Sequence, residues 1–283
     1  MKKETNLSFV QTNPKFGEIE LNVQKAMKLA NRAKEGIIVF PELFNTGYAF
    51  KNRTELKSLS ENVKTGYTSK QLIKFSRLKN STIIAGIAEK ANGKFYNTAI
   101  IISKGKFIGK YRKIHLFYKE KNIFTPGKKI GLFKIDGVNI GIIICFDWIF
   151  PELSRKLAIR GADVIVHPSN LILKGLGQKA MLTRSVENRI FTITANRIGI
   201  ENRDNSTRNK EMNLNLRVND NKNKIYKFTG ESQITSPNMK ILVKAESNKQ
   251  ICKSVTVDIF EARNKKITKM NNLLNDIKIQ KLS

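Results

Sequence analysis

Cysteine and histidine are scarce in this chain of 283 residues: it has Cys145 and Cys252, His115 and His167, and no others. Two cysteines exclude a disulfide-stapled scaffold, and these four residues show no recognisable zinc spacing. Metal catalysis is therefore not expected. Tryptophan occurs once, at Trp148. No apolar run reaches the ~18 residues that a membrane helix requires, so no membrane partner is expected. After Lys2 and Lys3 the chain continues with Glu4, Thr5 and Asn6 rather than the apolar core of a secretory signal. The expected location is the cytoplasm.

Negative charge is also in short supply. There are 23 acidic residues against 52 lysines and arginines, a formal net charge of +29. Such an excess can serve phosphate neutralisation on nucleic acid. The lysines, however, are scattered over the whole chain, with no compact basic arm and no aromatic-interleaved motif of the RNA-binding kind. The charge reads as a solvated surface, and no specific nucleic-acid partner is expected.

The length fits either one domain or two, but helical and extended stretches alternate as they do in α/β proteins. Residues 6–11 read as a strand, and Ile19, Val23, Ala26, Met27, Ala30 and Ala33 recur at helical spacing before Gly36. Further strands are expected at 37–40 and 82–87, with a helix at 68–79 between them. Runs at 96–102 and 106–113 flank Lys104-Gly105 and suggest a hairpin, so the sheet is mixed. Pro151 opens a helix that Gly161 closes, and 163–168 returns as a strand, giving a βαβ unit. A helix at 178–189, the strand FTITAN and strands near 227–235, 240–244 and 252–258 follow. Residues 259–278 read as an amphipathic helix or tail, and the asparagine-rich segment 201–224 as an inserted loop. No internal repeat is visible.

The run GIIICFDWIF, residues 141–150, places a thiol where a buried strand ends. Ligands of open α/β sheets gather beyond the carboxyl ends of strands, which makes Cys145 a candidate nucleophile. A thiol attacking an amide or nitrile carbon needs a base, a cation or donors for the developing anion, and an acid for the departing nitrogen. Two other strand exits offer such groups: IIVFPEL ends in Glu42, and KYRKIHLF carries Lys113. His115 and His167 both lie in strand-like runs with no evident acid or amide to orient them, so a carboxylate is the expected base.

These blocks resemble the nitrilase superfamily of carbon–nitrogen hydrolases. The resemblance runs through VFPELFNTGY (39–48), YRKIHLF with Glu120 and FTPG after it (111–127), GIIICFDWIFPELSRKLAIRGADVIVHPSN (141–170), RSVENRIFTITANRIG (184–199) and GESQITSP (230–237). It implies a single domain over 1–283 with a four-layer αββα sandwich of mixed sheets, no cofactor, and assembly into a homodimer or higher homo-oligomer. It implies Cys145 as nucleophile, Glu42 as general base, Lys113 as stabiliser of the tetrahedral intermediate, and Glu120 as the second glutamate that positions Lys113. The backbone N–H of Phe146 would complete the anion site. Trp148 either walls the substrate pocket or packs on the next helix, and Asn170 either lines the pocket or makes a loop hydrogen bond. Asp147 and Glu152 are expected in cap or turn roles, and Cys252 in the core. The substrate implied is a small aliphatic amide or carbamoyl amide cleaved through a cysteine thioester with release of ammonia, or alternatively a small aliphatic nitrile. The insertion at 201–224 and the end at Ser283 depart from the family pattern.

Overall fold

The computed structural model describes residues 2–203 and 225–277. Its strands are built on alternation. In β3 (Thr82–Ala91), Ile83, Ala85 and Ile87 join one apolar cluster and Ile84 another; in β4 (Lys94–Ser103), Ile100 and Ile102 oppose Ala99 and Ile101 in the same way. Both faces of such strands are apolar, so both must be covered.

The first sheet adds β1 (Glu4–Gln11), β2 (Ile37–Val39), β5 (Lys106–Arg112) and β14 (Ile251–Asp258), in the order β14-β1-β2-β3-β4-β5. Helices α1 (Ile19–Ala30) and α3 (Tyr67–Leu78) cover its outer face, where Val23, Ala26, Ala30, Leu72 and Phe75 meet Val10, Ile38, Ile83 and Ile100. A shorter helix, α2 (Arg53–Leu59), starts at Asn52, whose side chain accepts from Glu55 N.

The second sheet is β13-β12-β9-β8-β7-β6, from β6 (Gly131–Ile135), β7 (Val138–Ile142), β8 (Val164–Pro168), β9 (Phe191–Ala195), β12 (Gln233–Thr235) and β13 (Ile241–Lys244). Leu7, Phe9, Ile37, Val39 and Ile84 of the first sheet share one cluster with Ile140, Ile142, Val164, Val166 and Ile193 of the second. Leu153, Leu157 and Ala158 of α5 (Pro151–Ile159) and Met181 of α6 (Leu176–Asn188) extend it on the far side. The layers are thus αββα. Both sheets repeat one pairing pattern, a parallel trio with one antiparallel strand on one flank and two on the other, although no repeat shows in the sequence.

The hairpin at Lys104-Gly105 forms, with both residues at positive φ, 48° and 81°. Two expectations change. Residues 227–235 are two strands, β11 (Ile225–Thr229) and β12, and β11 pairs instead with β10 (Ile198–Asn202) in a separate ribbon. The insertion expected at 201–224 joins those two strands, and its residues 204–224 lie outside the described residues. No helix forms over 259–277, where only a single 3₁₀ turn, Ile259–Arg263, is helical. A short amphipathic helix is held by what its apolar face packs on, and here Ile267 and Met270 remain exposed. The tail is pinned instead by polar contacts: Arg263 pairs with Asp163 at 2.9 Å, and Lys265 Nζ donates to the carbonyls of Asn188 and Arg189 at 3.0 and 2.8 Å.

Candidate active site

Glu42, Lys113 and Cys145 each follow a strand whose carboxyl end faces the same end of the sandwich, from β2 and β5 of one sheet and β7 of the other. Beyond β2 the chain turns against Gly86 of β3, with Gly86 N donating to Pro41 O at 3.1 Å and Phe44 N to Gly86 O at 3.1 Å. The approach requires glycine, because a Cβ there would lie 2.5 Å from the Cα of Glu42. Lys113 is fixed through its backbone: its N–H donates to Asn97 O and its carbonyl accepts from Gly127 N, both at 2.8 Å.

The side chains converge out of contact with water. Lys113 Nζ donates to Glu42 Oε1 at 2.8 Å and to Glu120 Oε1 at 2.9 Å, and the three residues are 0, 0 and 4 % exposed. Asn97 Nδ2 gives Glu42 Oε1 a second donor at 2.7 Å, while Glu42 Oε2 has no partner. Glu120 heads the short helix α4 (Glu120–Ile123), and its Oε2 accepts from Phe117 N at 3.0 Å. Burial pushes the Lys113 ammonium toward losing its proton, but the charges of Glu120 and Glu42 outweigh it and hold it protonated. Burial likewise raises the pKa of Glu120, against the pull of Lys113.

Cys145 opens a 3₁₀ turn, Cys145–Ile149, at a φ of 42°. That left-handed backbone is strained for a residue with a side chain, and such strain is held only where the surroundings over-determine it. Two side chains do so. Asp147 Oδ2 accepts from Ile144 N at 2.9 Å and from the Tyr111 hydroxyl at 2.8 Å, and His167 Nε2 lies 2.9 Å from the Cys145 carbonyl oxygen. A ring nitrogen facing a carbonyl must be the donor, so Nδ1 of His167 accepts from Thr194 Oγ1 at 3.2 Å. Burial pushes the thiol pKa of Cys145 well up, the charge of Glu42 adds to this, and Lys113 opposes it. Burial at this position thus favours the neutral thiol over the thiolate.

His167 carries a pH consequence. Burial lowers its pKa to about 4, against an ordinary value near 6.5. Between those values the unfolded chain binds the extra proton and the folded one does not, so stability falls as pH drops from about 6.5 to about 4, by roughly 3 kcal/mol. Urea midpoints across that window should show the decline, and His167→Gln should flatten it. An unchanged slope would mean that carboxylates alone set the acid limit.

The expectation that neither histidine has an acid partner is overturned. His115 Nδ1 lies 2.8 Å from Asp147 Oδ1, with its ring stacked on Phe150 at 3.7 Å. The hydrogen bonds of both rings still go to Asp147, Thr194 and the Cys145 carbonyl rather than to the sulfur. Asp147 serves the turn, and Glu152 is an exposed acid in the first turn of α5. Cys252 is half-buried beside the outer cluster of the first sheet.

Cys145 opens onto a small cleft of ≈ 330 Å³ of empty space including its mouth, walled by Tyr48, Phe117, Phe146, Trp148 and the run from Asn170 to Leu173. Trp148 and Asn170 thus line the cleft. Tyr48, Phe117, Leu171, Ile172 and Leu173 are walls that sequence reasoning did not single out, although Tyr48 closes VFPELFNTGY and Phe117 closes YRKIHLF. Tyr48 is set in place by Glu201, whose carboxylate accepts from the N–H groups of Tyr48 and Ala49 and pairs with buried Arg197. Among the described residues no three histidine, cysteine or acidic side chains gather as a metal site.

Four layers of this topology are the nitrilase fold. Nit3 of Saccharomyces cerevisiae, a solved member of the nitrilase superfamily, matches with a TM-score of 0.77 at 24% identity, covering 95% of this chain and 96% of that one. The family model for carbon-nitrogen hydrolase matches residues 6–263. A nitrilase of Pyrococcus abyssi is 38% identical over 274 residues, 95% of this chain and 96% of the relative. A 2-oxoglutaramate amidase of Bacillus subtilis is 32% identical over 202 residues, 68% and 76% of the two chains. The chain belongs to the carbon–nitrogen hydrolases of the nitrilase superfamily.

Proposed function

We propose that this hydrolase cleaves small aliphatic amides or carbamoyl amides through a thioester on Cys145. The observation that carries the reading is a buried thiol at the same end of the sandwich as buried Lys113, Glu120 and a Glu42 whose second carboxylate oxygen is unpartnered. Glu42 Oε2 takes the thiol proton as the sulfur attacks the carbonyl carbon. An ammonium has three N–H donors and Lys113 spends two on Glu42 and Glu120, so the third is left for the oxyanion, beside the backbone N–H of Phe146. Glu42 returns the proton to the departing nitrogen and ammonia leaves. Water activated by Glu42 then cleaves the thioester, giving the carboxylic acid and the free thiol. Glu120 touches no reacting atom and holds Lys113.

The 38% identity to a nitrilase supports a second reading, in which attack on a nitrile carbon leads through the same thioester to a carboxylate. Ammonia release from matched pairs of small nitriles and amides decides between them, with Cys145→Ala as the blank. Turnover of amides alone supports the amidase, and turnover of nitriles without free amide supports the nitrilase. A thioester of the expected mass on Cys145 supports either, and its absence during turnover removes both.

The close approach at Gly86 gives a further expectation. Gly86→Ala touches no substrate, yet it must push the Glu42 backbone out of line, and displacements near 1 Å cost about 10²-fold in rate. Steady-state kinetics should show that loss in kcat with the thermal midpoint only modestly lowered. Unchanged kcat would mean that the turn carrying Glu42 is freer than its hydrogen bonds indicate.

A further inference from the structure

The side chain of Asn170 is buried beside the thiol. It is 3 % exposed, its residue lines the cleft beside Cys145, and neither its carboxamide nitrogen nor its carboxamide oxygen has a hydrogen-bond partner. Its backbone is otherwise engaged, since the N–H of Asn170 favours the thiolate form of Cys145. A buried carboxamide unpaired at both ends carries the desolvation penalty of two groups, so a partner that the chain itself does not supply would be favoured there. Apart from the Cys145 thiol and the Tyr48 hydroxyl, the remaining walls are aromatic or aliphatic, with no lysine or arginine among them.

Resting on the hydrolase reading above, we propose that Asn170 selects substrates whose acyl portion bears a neutral group able both to donate and to accept a hydrogen bond, such as a second carboxamide, a ureido group or a hydroxyl. Three features define this class. A purely apolar acyl chain filling the cleft would leave both ends of the Asn170 carboxamide dry and unpaired. A carboxylate would satisfy only the nitrogen and would find no cation on the walls of the cleft. A neutral donor–acceptor group satisfies both atoms and desolvates no charge. The +29 surface does not reverse this choice, because surface charge raises the local concentration of anions without supplying a partner inside the cleft.

The test uses three amides of equal chain length whose far ends are methyl, carboxamide and carboxylate. The wild-type protein is expected to favour the carboxamide over the methyl compound by about tenfold or more in kcat/KM, and to reject the carboxylate. Asn170→Ala removes no internal side-chain hydrogen bond, so it should fold normally, and its kcat/KM should fall much further on the carboxamide than on the methyl compound, erasing the preference. Binding of the same compounds to Cys145→Ala, and to Cys145→Ala with Asn170→Ala, reads the preference without turnover. A preference in binding with no hydrolysis leaves this inference standing and removes the hydrolase reading. The inference is overturned if Asn170→Ala keeps the wild-type ratio, if it weakens all three compounds equally, or if the carboxylate is the best substrate.

Discussion

Lys113→Met is expected to abolish measurable turnover and to weaken the fold in the same stroke. The ammonium is fully buried between two carboxylates, Glu42 at 2.8 Å and Glu120 at 2.9 Å. Removing one partner of a buried ionic group leaves uncompensated charge and typically destabilises by about 3–5 kcal/mol. In the proposed mechanism, the variant loses the donor for the developing oxyanion, alone worth ~10²–10³ in rate, and the cation that holds Glu42 in register. The sign of its pH dependence follows from Glu120, whose pKa burial already raises. Without Lys113 it rises further, the folded state binds a proton that the unfolded state releases, and stability is recovered as pH falls. Urea unfolding at about pH 8 and about pH 5 should show the gap to wild type narrowing at the lower pH. Adding Glu120→Gln should restore stability without restoring turnover. A Lys113→Met protein with wild-type kcat would remove Lys113 from the mechanism.

Cys145→Ala should separate the two effects. Loss of a nucleophile that works as a unit with its base costs on the order of 10⁶ in kcat. Only the Asn170 N–H loses a partner with the sulfur, since Asp147 and His167 hold the turn through the Ile144 N–H and the Cys145 carbonyl, which alanine keeps. The thermal midpoint should therefore stay close to wild type while ammonia release vanishes. Cys145→Gly probes the strained backbone: at a φ of 42° glycine meets no Cβ penalty, so this inactive variant should unfold no earlier than Cys145→Ala. Earlier unfolding would show that packing of the side chain, and not relief of strain, dominates at this turn.

These expectations draw unequally on sequence and structure. Glu42 and Cys145 were legible because each follows an apolar run that reads as a buried strand, whereas Lys113 ends a strand of which only Tyr111 is buried and stood out only by its YRKIHLF context. Glu120 was not: KEKN has the look of a solvated charged turn, and only the resemblance singled it out, because the burial that gives it meaning comes from α4 packing under Lys113. The pairing of His115 with Asp147 was equally hidden, since the partners are 32 residues apart and meet only when β5 and β7 bring their ends together. The hairpin of β6 and β7 does carry a local signal, Asp136-Gly137 between apolar runs, and both residues are at positive φ as a type I′ turn requires. The tail had helical spacing without a surface to bury it on.

The sequence by itself determined the alternation of strands and helices, the family, and the three residues at strand exits, because apolar periodicity and local turn chemistry act over a few neighbouring positions. The tertiary structure decided which acids are dry, which histidine is neutral, how the Cys145 turn is braced and that Asn170 faces the cleft unpaired. Those properties depend on desolvation and on partners that come together only when the two sheets close on each other.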